Sequence, residues 1–539
     1  MIKEEIQKLV ERAIKDLQEE KKFPEFELPE VFIFNNVKPI IKGHGDYSTN
    51  IIFELRKKIK VKIVKEETKE ITDLLIEKIK NDKDFNYIFE KIEVANAGFM
   101  NFFLKEEYLQ NQIKEIIRQK DRFGNLEIGD GEKVNVEFIS ANPTGPLTLG
   151  NGRGGFCGDV LSNVLIKAGY SVTKEYYIND RGNQIIKLGH SILGDSEAVY
   201  IGEYIDELRK KNKKTDPEKV GEAAVEVILK KMIKPAVKRI GINFDIWFSE
   251  KSLYNSKEVD KAIDDLTKRG FTYKSEGAVW FKSKDLGDDK DRVLVRKDGI
   301  RTYFASDIAY LKNKVSRGFE KIVLFVGADH YGYIARLRAM AHTLNFKKEN
   351  IDVIVEQMVK LFKDGEEVKM SKRAGDYVTL DELLDEVSLD VARFFFLIRG
   401  ADTHLNFDLD LAKEQSQKNP VYYIQYAYAR ISSILKKKKP SIFIGPDYRL
   451  LTNSAELNLI KQLIRFPEII QEIAEDYQVQ RLPQYATDLA DAFHRFYEKC
   501  RVIGEKKKLT QARLSLILAT RIVLKNTLSL MGVSSPEKM

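Results

Sequence analysis

KVNVEFISANPTGPLTLGNGRGG, residues 133–155, decides how this chain folds. Val134 to Ile139 is a short apolar run of the kind that becomes a strand buried on both faces of a parallel sheet. A turn dense in proline and glycine follows, and then a helical pattern from about Gly152 to Ala168. Strand, glycine-rich turn and helix, in that order, form the first unit of a doubly wound α/β fold. Lys321 to Val326 is a second such run and leads into Gly327-Ala328-Asp329-His330. Ligands in such sheets bind beyond the carboxyl ends of the strands, so chemistry is expected at these two ends. Gly150, Gly152, Gly154 and Gly155 leave backbone N–H groups open to a phosphate, and a helix N-terminus adds partial positive charge. The same glycines would serve close packing of the helix on its strand equally well.

Working outward, residues 1–118 mix an amphipathic helix with short β-branched pieces and close on the strand-like run Gly98 to Phe103. They read as an α+β domain. Residues 119–410 read as the doubly wound, Rossmann-type domain. From 411 to 539 the pattern is nearly all helical, with Asn419-Pro420 as a helix start, so a helical bundle is expected. The 539 residues suit about three domains. Ninety Lys and Arg against 82 Asp and Glu leave +8, compatible with a nucleic-acid partner but not diagnostic of one. Two distant cysteines, Cys157 and Cys500, exclude a disulfide framework and a zinc knuckle. The first helix carries charges that a secretory leader would not tolerate, and no apolar run approaches a bilayer span. A cytoplasmic protein without a membrane partner is expected.

The second candidate for nucleotide chemistry is Glu367 to Gly375, EVKMSKRAG. Lys369 and Lys372 on a loop could meet the charge that develops on a polyphosphate leaving group. In a lysine-rich chain a merely solvated cluster has the same appearance.

Together the two segments resemble the paired "HIGH" and "KMSKS" signatures of class I aminoacyl-tRNA synthetases. The text around them narrows the resemblance. VEFISANPTGPL, EYYINDRGNQI, INFDIWFSEKSLY, TYFASDIAY, GADHYGY and VKMSKRAGDYVTLDEL are similar to arginyl-tRNA synthetases of the bacterial type. HGDYSTNIIF and GFMNFF resemble that family's additional N-terminal domain, and VYYIQYAYARI and LMGVSSPEKM its anticodon-binding domain. The resemblance implies ATP-dependent ligation of L-arginine to tRNA(Arg), with Mg²⁺ carried on the ATP phosphates and no dedicated metal site. A monomer is expected. The interval from Thr148 to Lys369 holds two Rossmann halves and a modest insertion, with no comfortable room for a large editing domain. Arginine suits that: carboxylates built for a guanidinium stay unpaired when a smaller amino acid enters.

Carried onto this sequence, the resemblance gives Thr148, Asn151, Lys369 and Lys372 catalytic roles. Gly150, Gly152, Arg153, Asp329, His330, Met370 and Ser371 would bind ATP. Glu137, Ser140, Asn142, Tyr303 and Asp307 would hold arginine, and Tyr422, Tyr426 and Arg430 would touch the tRNA. Tyr422 and Tyr426 share a helix face and could stack bases or pack in the bundle. One departure stands out: Thr148 and Asn151 occupy the places of the family's two histidines. A hydroxyl and an amide are neutral donors, so a cost on the order of 1–3 kcal/mol per site is expected unless Lys369, Lys372 and Arg153 compensate. A tolerated variant is the first reading. A tRNA-binding paralogue with impaired adenylation is the second.

Overall fold

The computed structural model describes residues 1–36, 45–59, 65–95, 98–328, 332–368, 378–441 and 445–539. Helix Ile2–Glu19 opens the chain and buries Ile2, Ile6, Leu9, Val10, Ala13 and Leu17. Strands β1 (Ile33–Asn35), β2 (Tyr47–Thr49), β3 (Phe89–Val94) and β4 (Met100–Leu104) form an antiparallel sheet in the order β1-β2-β4-β3.

The sheet that positions the site comes next. It contains β5 (Lys133–Glu137), β6 (Ser171–Ile178) and β7 (Ile246–Ser249). An antiparallel meander of β8 (Thr272–Ser275), β9 (Ala278–Phe281) and β10 (Arg292–Val295) interrupts it before β11 (Lys321–Gly327) and β12 (Ile351–Glu356) return. The spatial order is β12-β11-β5-β6-β7, every pairing parallel. The chain therefore runs outward from β5 in one direction and then restarts on its other side. The crevice between the ends of β5 and β11 is the topological switch point, where such sheets take their ligands. Val134 and Val136 are fully buried, as the apolar run anticipates. A hairpin of β13 (Val359–Lys363) and β14 (Glu366–Val368), flanked by β15 (Leu405–Asp408), ends just before Lys369.

The helix after β5 spans Leu149–Lys167 and starts three residues earlier than its periodicity suggests, because Thr148 caps it. The C-terminal region holds helices Pro420–Lys437, Ser454–Ile464, Phe466–Asp476, Arg481–Lys499 and Lys507–Met531. Pro420 occupies the first helical turn and the Asn419 side chain accepts from the Val421 N–H, as its sequence indicates. Contrary to the expectation for apolar runs, Lys507–Met531 is long and apolar enough to cross a membrane by composition alone. Most of it is covered by neighbouring helices.

Arg393 ties these layers together. Its buried guanidinium donates to Asp159 Oδ2 at 2.9 Å, to the Ile240 carbonyl at 2.7 Å and to the Met531 carbonyl at 3.1 Å. Gly532, at φ 66, lies so close that a Cβ there would sit 2.4 Å from the guanidinium. Without Arg393, Asp159 keeps Lys174 at 2.7 Å, but the buried Ile240 and Met531 carbonyls lose their charged donor, and a buried acceptor left unsatisfied costs about 1–3 kcal/mol. Arg393→Ala should therefore lower the thermal unfolding midpoint well beyond the few-tenths effect of an exposed arginine such as Arg449→Ala, measured by calorimetry on both variants.

Candidate active site

β5 ends on Glu137 and the backbone then turns sharply. Ile139 (φ 65) and Ser140 (φ 39) both lie in the left-handed region, which a β-branched residue rarely enters. The Ser140 N–H donates to the Phe138 carbonyl at 2.9 Å, closing a three-residue turn. Strain of about 1–3 kcal/mol persists only where the surroundings impose it, and such turns gather at functional sites. Here the turn aims Ser140 back at the sheet. Its hydroxyl accepts from the Tyr177 N–H at 3.0 Å and donates to Glu137 Oε1 at 3.2 Å.

The carboxylates form the core of the recess. Glu137 Oε2 accepts from Lys314 Nζ at 2.6 Å and from the Tyr310 hydroxyl at 2.8 Å. Behind it, fully buried Glu175 takes both arms of Arg317, at 2.6 and 3.0 Å, and the Asn135 amide at 3.0 Å. Lys314 also reaches Asn135 Oδ1 at 2.6 Å, so two acids and two bases lock the floor of the crevice. Asp307, in helix Tyr303–Ser316, is different. Among the described residues it has no ion pair. Burial, with Glu250 and Glu137 nearby, pushes its carboxyl up to about 7, against the pull of Arg336 and a hydrogen bond from Tyr333. Glu250, buried at the start of helix Glu250–Asn255, is likewise raised by burial, although Ser306 and Tyr177 donate to it. Tyr177, Tyr310 and Phe248 stack into the wall, with ring centroids 4.6 and 4.7 Å apart. Three carboxylates lined by aromatics suit one planar cation. The exposed Tyr303 lies at the entrance, where its hydroxyl accepts from the Asn183 N–H at 3.3 Å. Asn142 is exposed beside Asn179.

At the neighbouring helix start, Thr148 and Asn151 satisfy each other. Thr148 Oγ1 accepts from the Asn151 N–H at 3.2 Å and donates to Asn151 Oδ1 at 3.0 Å, while Asn151 Oδ1 also takes the Thr148 N–H at 2.9 Å. This is a reciprocal capping box. It uses up the hydroxyl expected to face phosphate and the Asn151 backbone N–H, and leaves the Asn151 amide N–H₂ and the N–H groups of Leu149 and Gly150, which no helix satisfies internally. Gly150 is exposed, and a Cβ there would make only ordinary contact with Thr148 Oγ1, at 3.5 Å. Gly152, Gly154 and Gly158 serve packing instead: added Cβ atoms would strike Leu380, Glu356 and Phe138 at 2.7, 2.5 and 2.3 Å. Of the two uses open to these glycines, packing accounts for Gly152 and Gly154.

The ATP-binding expectation for Arg153 needs correction. Its side chain is fully buried and donates to the Gln357 carbonyl at 2.9 Å and the Gly400 carbonyl at 2.6 Å, turned away from the crevice. It partly offsets Glu356, which burial pushes up to about 8. Arg153 therefore joins the helix to the foot of the β13–β14 hairpin, and it cannot make up for absent histidines. Asp329, His330, Lys369, Met370, Ser371 and Lys372 lie outside the described residues. Among the described residues no group of three or more His, Cys, Asp or Glu could hold a metal ion.

In the C-terminal bundle, half-buried Tyr422 and Tyr426 stack nearly parallel, 6.4 Å apart. Arg430 lies over both Tyr426 and Tyr497, at 4.6 and 4.8 Å. Tyr428 is core. Periodicity did not single out Glu250, Lys314 or Glu175. The one available sign was an acid directly after the strand-like INFDIWFS run.

A parallel sheet with this switch point and a capped glycine-rich helix beside it is a doubly wound nucleotide-binding arrangement, the one on which class I aminoacyl-tRNA synthetases are built. The family profile described as "tRNA synthetases class I (R), catalytic domain" matches residues 195–396. "Arginyl tRNA synthetase N terminal domain" matches residues 4–104 and "DALR anticodon binding domain" residues 424–539. The arginine–tRNA ligase of Carboxydothermus hydrogenoformans is 43% identical over 534 residues, covering 94% of each chain. That of Acetivibrio thermocellus is 41% identical over 568 residues, covering 100% of this chain and 99% of its own. The arginyl-tRNA synthetase of Thermus thermophilus, 21% identical, shares the fold over the full length of both chains with a TM-score of 0.81. The chain belongs to the arginyl-tRNA synthetase family.

Proposed function

We propose that the chain joins L-arginine to the 3′-terminal adenosine of tRNA(Arg) in two in-line steps. In the first, an arginine carboxylate oxygen bonds to the α-phosphorus of ATP and the bond to the β-phosphate oxygen breaks, releasing pyrophosphate. In the second, a ribose hydroxyl attacks the adenylate carbonyl, loses its proton, and AMP leaves. The observation that carries this reading is the recess of Glu137, Asp307 and Glu250 at the switch point, beside a helix N-terminus with open first-turn donors. Glu137, Asp307 and Glu250 hold the guanidinium. Ser140 and Asn142 lie toward the amino-acid backbone, with Tyr303 at the mouth.

Gly150 and the Asn151 amide meet the phosphates, joined by Asp329, His330, Met370, Ser371 and the lysines Lys369 and Lys372. Mg²⁺ would arrive on the ATP phosphates and screen their charge. Positioning and charge stabilisation do the work, with no general base required of the protein for adenylation. Residues 1–118, 119–410 and 411–539 divide the labour as tRNA-contacting, catalytic and anticodon-binding domains. The Tyr422–Tyr426–Arg430 ladder offers stacking faces for unpaired bases. We take the protein to act as a cytoplasmic monomer without a membrane partner. Charging of tRNA with labelled arginine, run beside ATP–pyrophosphate exchange with and without tRNA, tests the reading. Arginyl-tRNA is expected. Tight tRNA binding without transfer would overturn it.

A further inference from the structure

A cleft of about 500 Å³ is lined by Pro146, in the turn that leads to Thr148, and by Thr379 and Asp381. One wall is helix Glu203–Lys211, and the other is the segment from Val227 to Arg239. The cleft is fastened to the catalytic turn. The Tyr204 hydroxyl donates to the Thr144 carbonyl at 3.0 Å, and Thr379, in the cleft lining, forms a bridge with Thr148. On the second wall Arg239 is held by Asp381 and Asp385, at 2.8 and 2.7 Å.

The second wall has an unusual backbone. Leu229–Ile233 is a π-helical turn. Pro235 has no N–H to continue the ladder, and the Lys234 N–H reaches back five residues to the Leu229 carbonyl. Beyond the bulge, Lys234 and Lys238 follow Lys230 along the helix at intervals of four, in a row beside the one that lines the cleft. Intervals of four on a helix repeat about every 6 Å along the axis, comparable with the separation of neighbouring phosphates on a strand. All of Lys230, Lys231, Lys234 and Lys238 are exposed. Lys234 rests on Trp247 at 4.9 Å. Lys230, Lys231 and Lys238 have no carboxylate partner among the described residues, and from Leu229 to Arg239 the segment carries no acid at all. Glu203 and Glu207 lie on the opposite wall.

A solvated helix face normally alternates its charges. A single-sign row without carboxylate partners, on a bulged helix that Arg239 ties to the helix following Thr379, has a different electrostatic purpose. We propose that this wall is a docking surface for the sugar-phosphate backbone of the tRNA as it approaches the active site. The proposal rests on the tRNA ligase reading given above. An anionic membrane is the weaker fit, because the row borders a cleft that leads to the catalytic turn.

The test is the triple variant Lys230→Ala, Lys231→Ala, Lys238→Ala, in the full chain. Each phosphate that a lysine no longer neutralises takes roughly 0.7–0.9 from the slope of log affinity against log salt. The slope for tRNA binding should therefore fall by about 2 to 3, and KM for tRNA should rise by about 10–100-fold near physiological salt. The thermal shift produced by arginine and ATP should stay at its wild-type size, which shows that the fold and the small-substrate sites are intact. An unchanged salt slope would overturn the proposal. So would a variant that loses binding to phosphatidylserine vesicles while its tRNA slope stays the same. Failure of the wild type to charge tRNA would instead strike the ligase reading, and the binding slopes would still judge the surface.

Discussion

Asp307→Asn should lower kcat/KM for arginine by on the order of 10²–10³-fold and leave KM for ATP within a few-fold. Truncating one partner of a buried, hydrogen-bonded charge pair costs about 2–5 kcal/mol, and each 1.4 kcal/mol is tenfold. Asp307 is the carboxylate of the recess with the least internal compensation: Glu137 already holds Lys314, whereas Asp307 has only the Tyr333 hydroxyl and the field of Arg336. A guanidinium entering the recess therefore gains most at Asp307. Asparagine keeps the shape and a carbonyl acceptor but loses the charge. Steady-state kinetics with arginine varied at saturating ATP and tRNA would check this, and an unchanged kcat/KM would remove Asp307 from the arginine site.

The same residue sets a pH dependence whose sign can be worked out. Its folded-state pKa, pushed up to about 7, lies above the ordinary carboxylate value. Between about pH 4 and 7 the folded protein therefore holds a proton that the unfolded chain has lost, and stability falls as pH rises through that window. Arginine reverses the balance because it favours the ionised form. The rise in unfolding temperature produced by saturating arginine should be larger at pH 8 than at pH 6, and KM for arginine should fall over the same interval. In Asp307→Asn that difference should flatten. Differential scanning fluorimetry at the two pH values reads it directly.

How much of this could be read from the sequence varied with the range of the interaction. The buried strand Val134 to Ile139, the glycine-rich turn and the Asn419-Pro420 helix start were legible, because burial on both faces and capping are local patterns. The crevice between β5 and β11 followed from the two apolar runs alone. The resemblance brought in Glu137 and Asp307, but nothing local shows that Lys314 neutralises the first and leaves the second unpaired. That difference depends on Tyr310 and Lys314, which lie about one and two helical turns past Asp307 and far off in sequence from Glu137. Arg153 misled for a related reason: an arginine in a phosphate loop looks like a ligand until its acceptors, carbonyls of Gln357 and Gly400, are seen. Thr148 and Asn151 carry the three-residue spacing of a capping box, with asparagine in place of the usual glutamate. That cap went unread: by sequence both side chains faced phosphate, in the places of the histidines they replace, and the helix began near Gly152.

Those hydrogen bonds place the burden of charge stabilisation elsewhere. As adenylation proceeds, negative charge builds on the departing pyrophosphate. At the helix start it meets neutral donors only, because the Thr148 hydroxyl is engaged with Asn151 Oδ1 and Arg153 is committed to backbone carbonyls. In the function proposed above, Lys369 and Lys372 are the cations that answer. Lys372→Ala should accordingly lower kcat for charging by on the order of 10²–10³-fold, the loss typical of a preorganised group aimed at developing charge. KM for arginine should change little, since the proposed function gives the guanidinium to the recess. Thr148→His makes the contrast. It removes the cap hydroxyl, which costs about 1 kcal/mol of helix stability, and supplies an imidazole where the first turn now offers none. Charging should survive in that variant, within about tenfold of wild type. The double variant Thr148→His, Lys372→Ala should recover part of the lost kcat if the two positions answer the same charge. Single-turnover adenylate formation measured in all four proteins separates this step from tRNA binding. Wild-type rates in Lys372→Ala would mean that leaving-group charge is met by groups other than this loop.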